Sequence, residues 1–451
     1  MSRVAGRPLT APLAAPLVAA LVAILVALPV RAPGAQALVD SVTVAYELDG
    51  LRILHHKTNS QVFSIGLYLL GGSRQITNAN AGIEPLYLIA SDYGTVDYPG
   101  EEARRARARA ASSIGHAAFR DWTVFAANGL REDFDSTFVL LASRLMRPTL
   151  DSTGMTIARN RLLVAARSVV NSPEAQAAVL AESLAFAGHP YAVDPDGNEA
   201  SLRALTADDL RQYATAQFVK TRMLLVVVGD VTKERVDALV GRTLGGLPLG
   251  NYAWTLPPPI TASRGAIATG YRRISTNYLF GYMHGPPISS PDYPAFQYAM
   301  GVLSSFVNFR IRTMAQLSYA AGVTFFERGV SGAAVYVSTT KPDSVVKLLN
   351  LLLDDYEDEL RIPAFTMKES ADGFRNQYLF GIESADAHAD MLARALLYDG
   401  DHRAATRRAQ VMRQVRDTDL RRMVRTYAKN IQWGFAGDTS IVPRVPMAKR
   451  K

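Results

Sequence analysis

The sequence predicts an α+β protein made of two related domains, each a mostly antiparallel sheet packed with helices on one face. Three observations lead there. Strand-like runs open the first half, and helical periodicity follows them. A Pro/Gly-rich segment without hydrophobic period, Gly245-Gly-Leu-Pro-Leu-Gly250 and then Leu256-Pro-Pro-Pro-Ile260, divides the chain into near-equal parts. The two parts also end alike. Thr206-Ala-Asp-Asp caps a helix through Leu210 and Tyr213 that leads to the apolar run 223–228 and Gly229-Asp230; about 210 residues later, Asp419-Leu420 opens a helix through Met423 and Tyr427 that leads to 433–436 and Gly437-Asp438. Self-similarity on that scale points to duplication of a whole domain.

Taken in order, the first residues stand apart. Arg3 and Arg7 precede an apolar run from Ala11 to Val30, and Ala35-Gln36-Ala37 offers a small-x-small cleavage site, so residues 1–37 read as an export leader cleaved near Ala37. An uncleaved membrane anchor is the alternative that the length of the run allows. With a leader, the mature chain starts at Leu38 with 451 − 37 = 414 residues, loses Arg3, Arg7 and Arg31, and falls in net charge from +8 to +5. The expected domains are then 38–244 and 264–440, joined by a linker 245–263 and followed by a basic tail 441–451.

Within the first domain, strands are expected over 42–48, 51–57 and 62–71, the first two joined by the hairpin pair Asp49-Gly50. A helix over 84–92, a strand over 122–127 and helices over 134–145 and 156–170 follow. The basic stretch Arg104, Arg105, Arg107 and Arg109 follows Glu101-Glu102 and alternates with Ala, which is the pattern of a solvated helix. No aromatic residues interleave with it, so no nucleic-acid partner is expected. The chain has no cysteine, which excludes disulfides, thiolate metal sites and a Cys nucleophile. A periplasmic location, without stable membrane insertion after cleavage, is the simplest reading.

The segment Gly82-Ile-Glu-Pro-Leu-Tyr-Leu-Ile-Ala-Ser-Asp-Tyr-Gly-Thr95 resembles the signature of the insulinase, pitrilysin and mitochondrial-processing-peptidase family. In that family a glycine opens a helix bearing HxxEH, two His bind zinc from one helical face, and the Glu acts as general base. Aligned on Gly82 and Gly94-Thr95, the His positions fall on Pro85 and Ile89 and the Glu position on Leu88. The family's further Glu ligand falls on Ala165 or Ala166. None of these residues binds zinc or accepts a proton. The resemblance extends through Gly71-Gly-Ser-Arg74, His189-Pro-Tyr191 with Gly197, and Val228-Gly-Asp-Val231. In the second half, Ile311-Arg-Thr-Met-Ala-Gln-Leu-Ser-Tyr319 resembles the family's LRExxGLAY segment, whose Arg and Tyr fall on Arg312 and Tyr319; Gln316 stands where the pattern has Gly, and Phe306 where it has an earlier Arg.

The resemblance implies a non-catalytic, half-length subunit of an exported two-chain metallopeptidase. It would bind no metal itself, pair with a zinc-bearing HxxEH homologue, and contribute Arg312 and Tyr319 to a shared peptide chamber. A stand-alone peptide-binding or assembly protein on an inactive peptidase fold is the alternative, and an active enzyme with an unrecognised metal site is a third. Other polar residues are expected to be bland: His55 and His56 on opposite faces of a solvated strand end, Glu383, Asp386, His388 and Asp390 on a solvated helix face, and His116 and His284 at core edges or in loops.

Overall fold

Asp49 and Gly50 have φ of 49° and 84°, the paired left-handed geometry of a type I′ turn. They join β1 (Thr43–Leu48) to β2 (Leu51–Lys57) in the expected register. The structure, a computed structural model, describes residues 43–260, 264–358, 383–443 and scattered positions between 369 and 381. The expected leader 1–37, residues 261–263 of the expected linker and residues 444–451 of the expected tail lie outside the described residues.

The first half continues through β3 (Val62–Leu70), α1 (Ile83–Ala90), α2 (Glu101–Arg109), β4 (Ser113–Ala118), β5 (Trp122–Leu130), α3 (Phe134–Met146), α4 (Ser152–Asn171), α5 (Pro173–Ala185), α6 (Glu199–Ala204), α7 (Ala207–Gln217), β6 (Met223–Gly229) and α8 (Lys233–Thr243). The second half holds β7 (Ala266–Tyr271), β8 (Asn277–His284), α9 (Tyr293–Val307), β9 (Ala321–Phe326), β10 (Gly332–Thr339), α10 (Pro342–Asp358), α11 (Ala385–Asp399), α12 (Ala404–Val411), α13 (Asp417–Tyr427) and β11 (Gln432–Gly437).

The two sheets share one topology. Their strand orders are β1-β2-β6-β3-β5-β4 and β7-β11-β8-β10-β9, so among the described residues the second repeats the first without a counterpart of β1. The closing strand of each half is inserted in the same way: β6 runs parallel to β2 and antiparallel to β3, and β11 runs parallel to β7 and antiparallel to β8. The similar endings of the two halves thus fold into equivalent positions.

One face of the first sheet carries the core of Phe63, Ile65, Leu67 and Val227 packed with Leu86 of α1, Phe138 of α3 and Leu210 of α7. The other face is covered too, by a helix from the other half. Leu392, Ala393, Leu397 and Tyr398 of α11 pack on Leu54, Tyr68, Trp122 and Val226. The exchange is reciprocal, for α5 of the first half packs on β7, β8 and β11 of the second sheet. Helix and sheet approach very closely there: Ala177 and Ala181 of α5 are fully buried, and a Cβ built on Gly434 of β11 would lie 1.9 Å from the Ala177 carbonyl oxygen.

Buried Asp121 ties the two halves together. Its carboxylate accepts from Tyr191 Oη at 2.5 Å, and from Tyr398 Oη at 2.8 Å and the Gly329 backbone N–H at 2.7 Å. Glu182 of α5 meanwhile binds Arg120 at 3.1 Å and Arg328 at 3.0 Å, one from each half. The stretch expected to be a linker is pinned to this seam. Trp254 Nε1 donates to the Leu397 carbonyl at 2.8 Å, and Arg74 reaches the Thr255 carbonyl at 2.6 Å.

Replacing Gly434 with Ala puts a methyl group against the α5 backbone and is expected to destabilise the chain by about 3 kcal/mol. Gly241→Ala, in α8 with open space around it, is expected to be neutral or stabilising by about 0.5–1 kcal/mol. Urea denaturation of both variants checks the pair, and equal effects would contradict the exchanged-helix packing.

Candidate functional site

The frame of α1 depends on two glycines. Gly82, the N-cap, has φ 87°, and Gly197 has φ 80°. They lie back to back: a Cβ on Gly82 would sit 2.6 Å from Leu202 Cδ2, and one on Gly197 would sit 2.6 Å from the Ala81 carbonyl. Pro85 occupies the first turn, where a missing N–H leaves no hydrogen bond unmade. At the far end, Thr95 is buried, and its Oγ1 accepts from Ser143 Oγ at 2.9 Å and from the Tyr98 N–H at 3.0 Å.

Between these anchors, the positions that align with the metal ligands and the general base are apolar. Leu88 and Ile89 are 0% and 5% exposed, and both belong to the core that also holds Leu162 and Leu163 of α4. Ala165 is exposed on α4 and Ala166 half-buried. Zinc needs lone-pair donors, and Pro85, Leu88, Ile89 and Ala165 offer none, so these residues do not fit the metal. Among the described residues, no group of three or more His, Asp and Glu side chains is placed to hold a metal ion.

What holds α1 instead is a buried ion pair. Glu84 Oε1 accepts from Arg222 Nη2 at 2.5 Å and from Tyr213 Oη at 2.7 Å, while Arg222 Nε donates to the Leu70 carbonyl at 2.7 Å. Burial opposes the Arg222 cation, yet Glu84 and Tyr213 more than offset it and hold its pKa above the ordinary value.

The second half brings Arg312 and Tyr319 together at the surface. α9 runs on into a π-helical turn, Asn308–Met314, where Ala315 N–H bonds the Arg310 carbonyl and Leu317 N–H the Ile311 carbonyl, both at 3.0 Å. Gln316 then takes φ 52°, the left-handed conformation that glycine adopts without strain. Thr339 Oγ1 holds the Leu317 carbonyl at 2.6 Å, and Asn308 Nδ2 donates to the Ala321 carbonyl at 3.1 Å. The chain thereby folds back, and the Arg312 guanidinium lies 5.6 Å from the centre of the Tyr319 ring. Tyr319 is 86% exposed, so both side chains keep donors free to reach outward. Phe306 does not extend the pair; it packs edge-on against Tyr356 in the core.

The His residues need correction. His55 and His56 do point to opposite faces, but they are buried at 4% and 6% exposure, not solvated, because β1, β6 and α11 enclose that strand end. His388 is not on a plain solvated face either; its ring meets His56 at 4.3 Å. Asp386 and Glu383 are exposed, and Asp390 binds Arg394 of its own helix at 2.6 Å. His116 and His284 are half-buried as expected; burial, and then nearby Arg side chains, pushes the His116 ring down to about 4, and burial is also the main cause that takes His284 to about 4.

A seam cavity of about 570 Å³ escaped sequence reading. It lies where the ends of β4 and β9 converge and is lined by Arg120, Asp121, Glu182, Asp196, Arg328 and Arg394 among others. Burial and the neighbouring Asp194 push the Asp196 carboxyl up to about 6.

Two sheets of one topology, each packed with helices, define the class: a duplicated α+β fold. Residues 204–369 match the family model described as peptidase M16 inactive domain. The human mitochondrial cytochrome b-c1 complex subunit 1 is 24% identical over 310 residues, which cover 66% of this chain and 61% of that protein. The chain thus matches less than two thirds of that relative's length. Among solved structures, a peptidase M16 inactive domain from Pseudomonas fluorescens superimposes with a TM-score of 0.79 at 17% identity, over 90% of this chain and 99% of that one. The periplasmic protease PqqL from Escherichia coli gives 0.74 at 16% identity, over 88% of this chain and 46% of that one. The matched stretch, residues 204–369, is thus of the M16 inactive-domain type, and the chain shares the fold of M16 structures. No helix among the described residues is long and apolar enough to cross a membrane.

Glu84→Ala leaves Arg222 buried without its counter-ion and is expected to lower stability by about 3–5 kcal/mol. Gln316→Gly relieves the left-handed strain and is expected to stabilise by up to about 1 kcal/mol. Thermal and urea unfolding read both, and a destabilised Gln316→Gly would refute the strain assignment.

Proposed function

We propose that this chain is the non-catalytic subunit of an exported two-chain zinc metallopeptidase. The observation that carries the proposal is the exposed Arg312–Tyr319 pair, held 5.6 Å apart by a π-turn and a strained Gln316, beside a first domain whose aligned ligand positions are apolar. A homologous partner bearing HxxEH would hold the metal and supply activated water. This chain binds no zinc itself; its own part is to bind and orient. Arg312 donates to the substrate carbonyl, and the Tyr319 hydroxyl donates to the oxyanion that develops there. The family match supports a peptidase partner, and the likeness to a protease described as periplasmic supports export; cleavage near Ala37 rests on the small-x-small site Ala35-Gln36-Ala37.

A second reading rests on the edge strands. β4 and β9 each end a sheet, so an extended peptide could pair with either and be captured without cleavage. In this reading the chain is a stand-alone binding or assembly protein.

Copurification followed by peptidase assay separates the two. The expected result is a complex with a zinc-bearing homologue whose kcat falls about 10²-fold on Arg312→Ala or Tyr319→Phe. An active complex indifferent to both substitutions refutes the proposal. Tight peptide binding by the isolated chain, with no partner recovered, establishes the second reading.

A further inference from the structure

The exchanged helix α11 rests on two different surfaces. Its later turns press Leu392, Ala393 and Leu397 into an apolar face of the first sheet. Its first turns add Ala385 and Ala389 to that apolar contact but also lie over a single rung, the paired residues Thr43, His56, Val228, Ser64, Asn128 and Ser113, of which only Val228 is apolar. Two contacts hold the helix to that rung. The His388 ring packs on His56 with centroids 4.3 Å apart and planes tilted by 56°. Asp386 accepts from Asn128 Nδ2 at 2.7 Å. His56 is buried, with Nδ1 2.7 Å from Thr43 Oγ1.

We infer that the His56–His388 contact is an acid-sensitive latch, which on protonation releases the first turns of α11 from the first sheet while the apolar turns stay docked. The surroundings offer no compensation for a new positive charge. Thr43 of β1 and Val228 of β6 face His56 and are uncharged. The charges bearing on it are those of His388, His55 on its own strand and His402 beyond α11, all of them cations when protonated. Lys57 follows on β2 and is exposed. On α11, Asp390 is paired with Arg394, and the Asp386 carboxylate, turned to Asn128, is not among the charges that act on His56 or His388. His388 is also the fourth residue of a helix capped by Ser384, near the positive end of its dipole, where a cation is disfavoured.

The titration runs in the direction that the geometry demands. Burial, then the neighbouring imidazoles, holds the His56 ring down to about 4, and burial lowers His388. Both rings are therefore neutral when docked and take up protons more readily when released. The docked state has its full stability above the ordinary His value of about 6.5 and loses it as pH falls from there towards 4.

Hydrogen-exchange protection of residues 385–392 in the full chain, read at about pH 7 and about pH 4.5, tests this. The expected result is a loss of protection of about tenfold or more at the lower pH, with β3 and β6 still protected, and a clearly smaller loss in His388→Leu, which leaves His56 alone to titrate. Unchanged protection in the wild type, an equal loss in His388→Leu, or a loss shared with β3 and β6 overturns the latch. Ring titration of the unsubstituted protein by NMR gives an independent check: both rings titrating below about pH 6 supports it, and either titrating at about 6 or above overturns it.

Discussion

The constraint on which the rest of this structure depends is the exchange of helices between its halves. Each sheet has one face covered by its own half and the other by a helix borrowed from its counterpart, α5 on the second sheet and α11 on the first. Neither half can bury both faces of its sheet alone. Small residues make the exchange possible: Gly434 and the alanines of α5 let a helix backbone touch a strand, which larger side chains would prevent. At the crossing, Asp121 takes donors from both halves. A buried carboxylate is tolerable because Tyr191, Tyr398 and the Gly329 N–H satisfy it together. The two domains expected from duplication are thus covalent repeats that fold as one body.

The same logic explains how the α1 region persists without metal ligands. Its glycines are required by close backbone approach, not by chemistry, and its apolar side chains fill the core where a metal site would need polar lining. The Glu84–Arg222–Tyr213 network fixes the helix from its first turn, and further along the Tyr87 hydroxyl and the Leu88 carbonyl are satisfied by the Leu145 carbonyl and Arg144 without any metal. The second half is arranged oppositely. Arg312 and Tyr319 contribute little to any core and are held by the π-turn and the Thr339 and Asn308 hydrogen bonds, at the cost of a non-glycine residue in the left-handed region.

Much of this was legible residue by residue. The Asp49-Gly50 pair dictates a hairpin through its own φ preferences, and the similar endings of the halves foretold that β6 and β11 would hold equivalent places. The seven-residue spacing of Arg312 and Tyr319 was visible as well. Three things were not. β4, Ser-Ile-Gly-His-Ala-Ala, is too small and mixed to show a strand pattern, and the alanine-rich α5 has no strong apolar stripe because it is enclosed from several sides. His55 and His56 read as solvated because burial of a strand end depends on which helix later lies across it.

The sequence by itself determined the local frame: the turns, the caps, the similar endings of the two halves and the replacement of every aligned ligand and base by Pro85, Leu88, Ile89 and Ala165. These follow from backbone preference and side-chain chemistry, which are properties of residues close in the chain. Tertiary structure alone decided what meets across the seam. Asp121 with Tyr398, Glu182 with Arg328 and His56 with His388 are separated by 277, 146 and 388 − 56 = 332 positions. No spacing rule reaches that far, because those pairs form only when two complete sheets trade their covering helices.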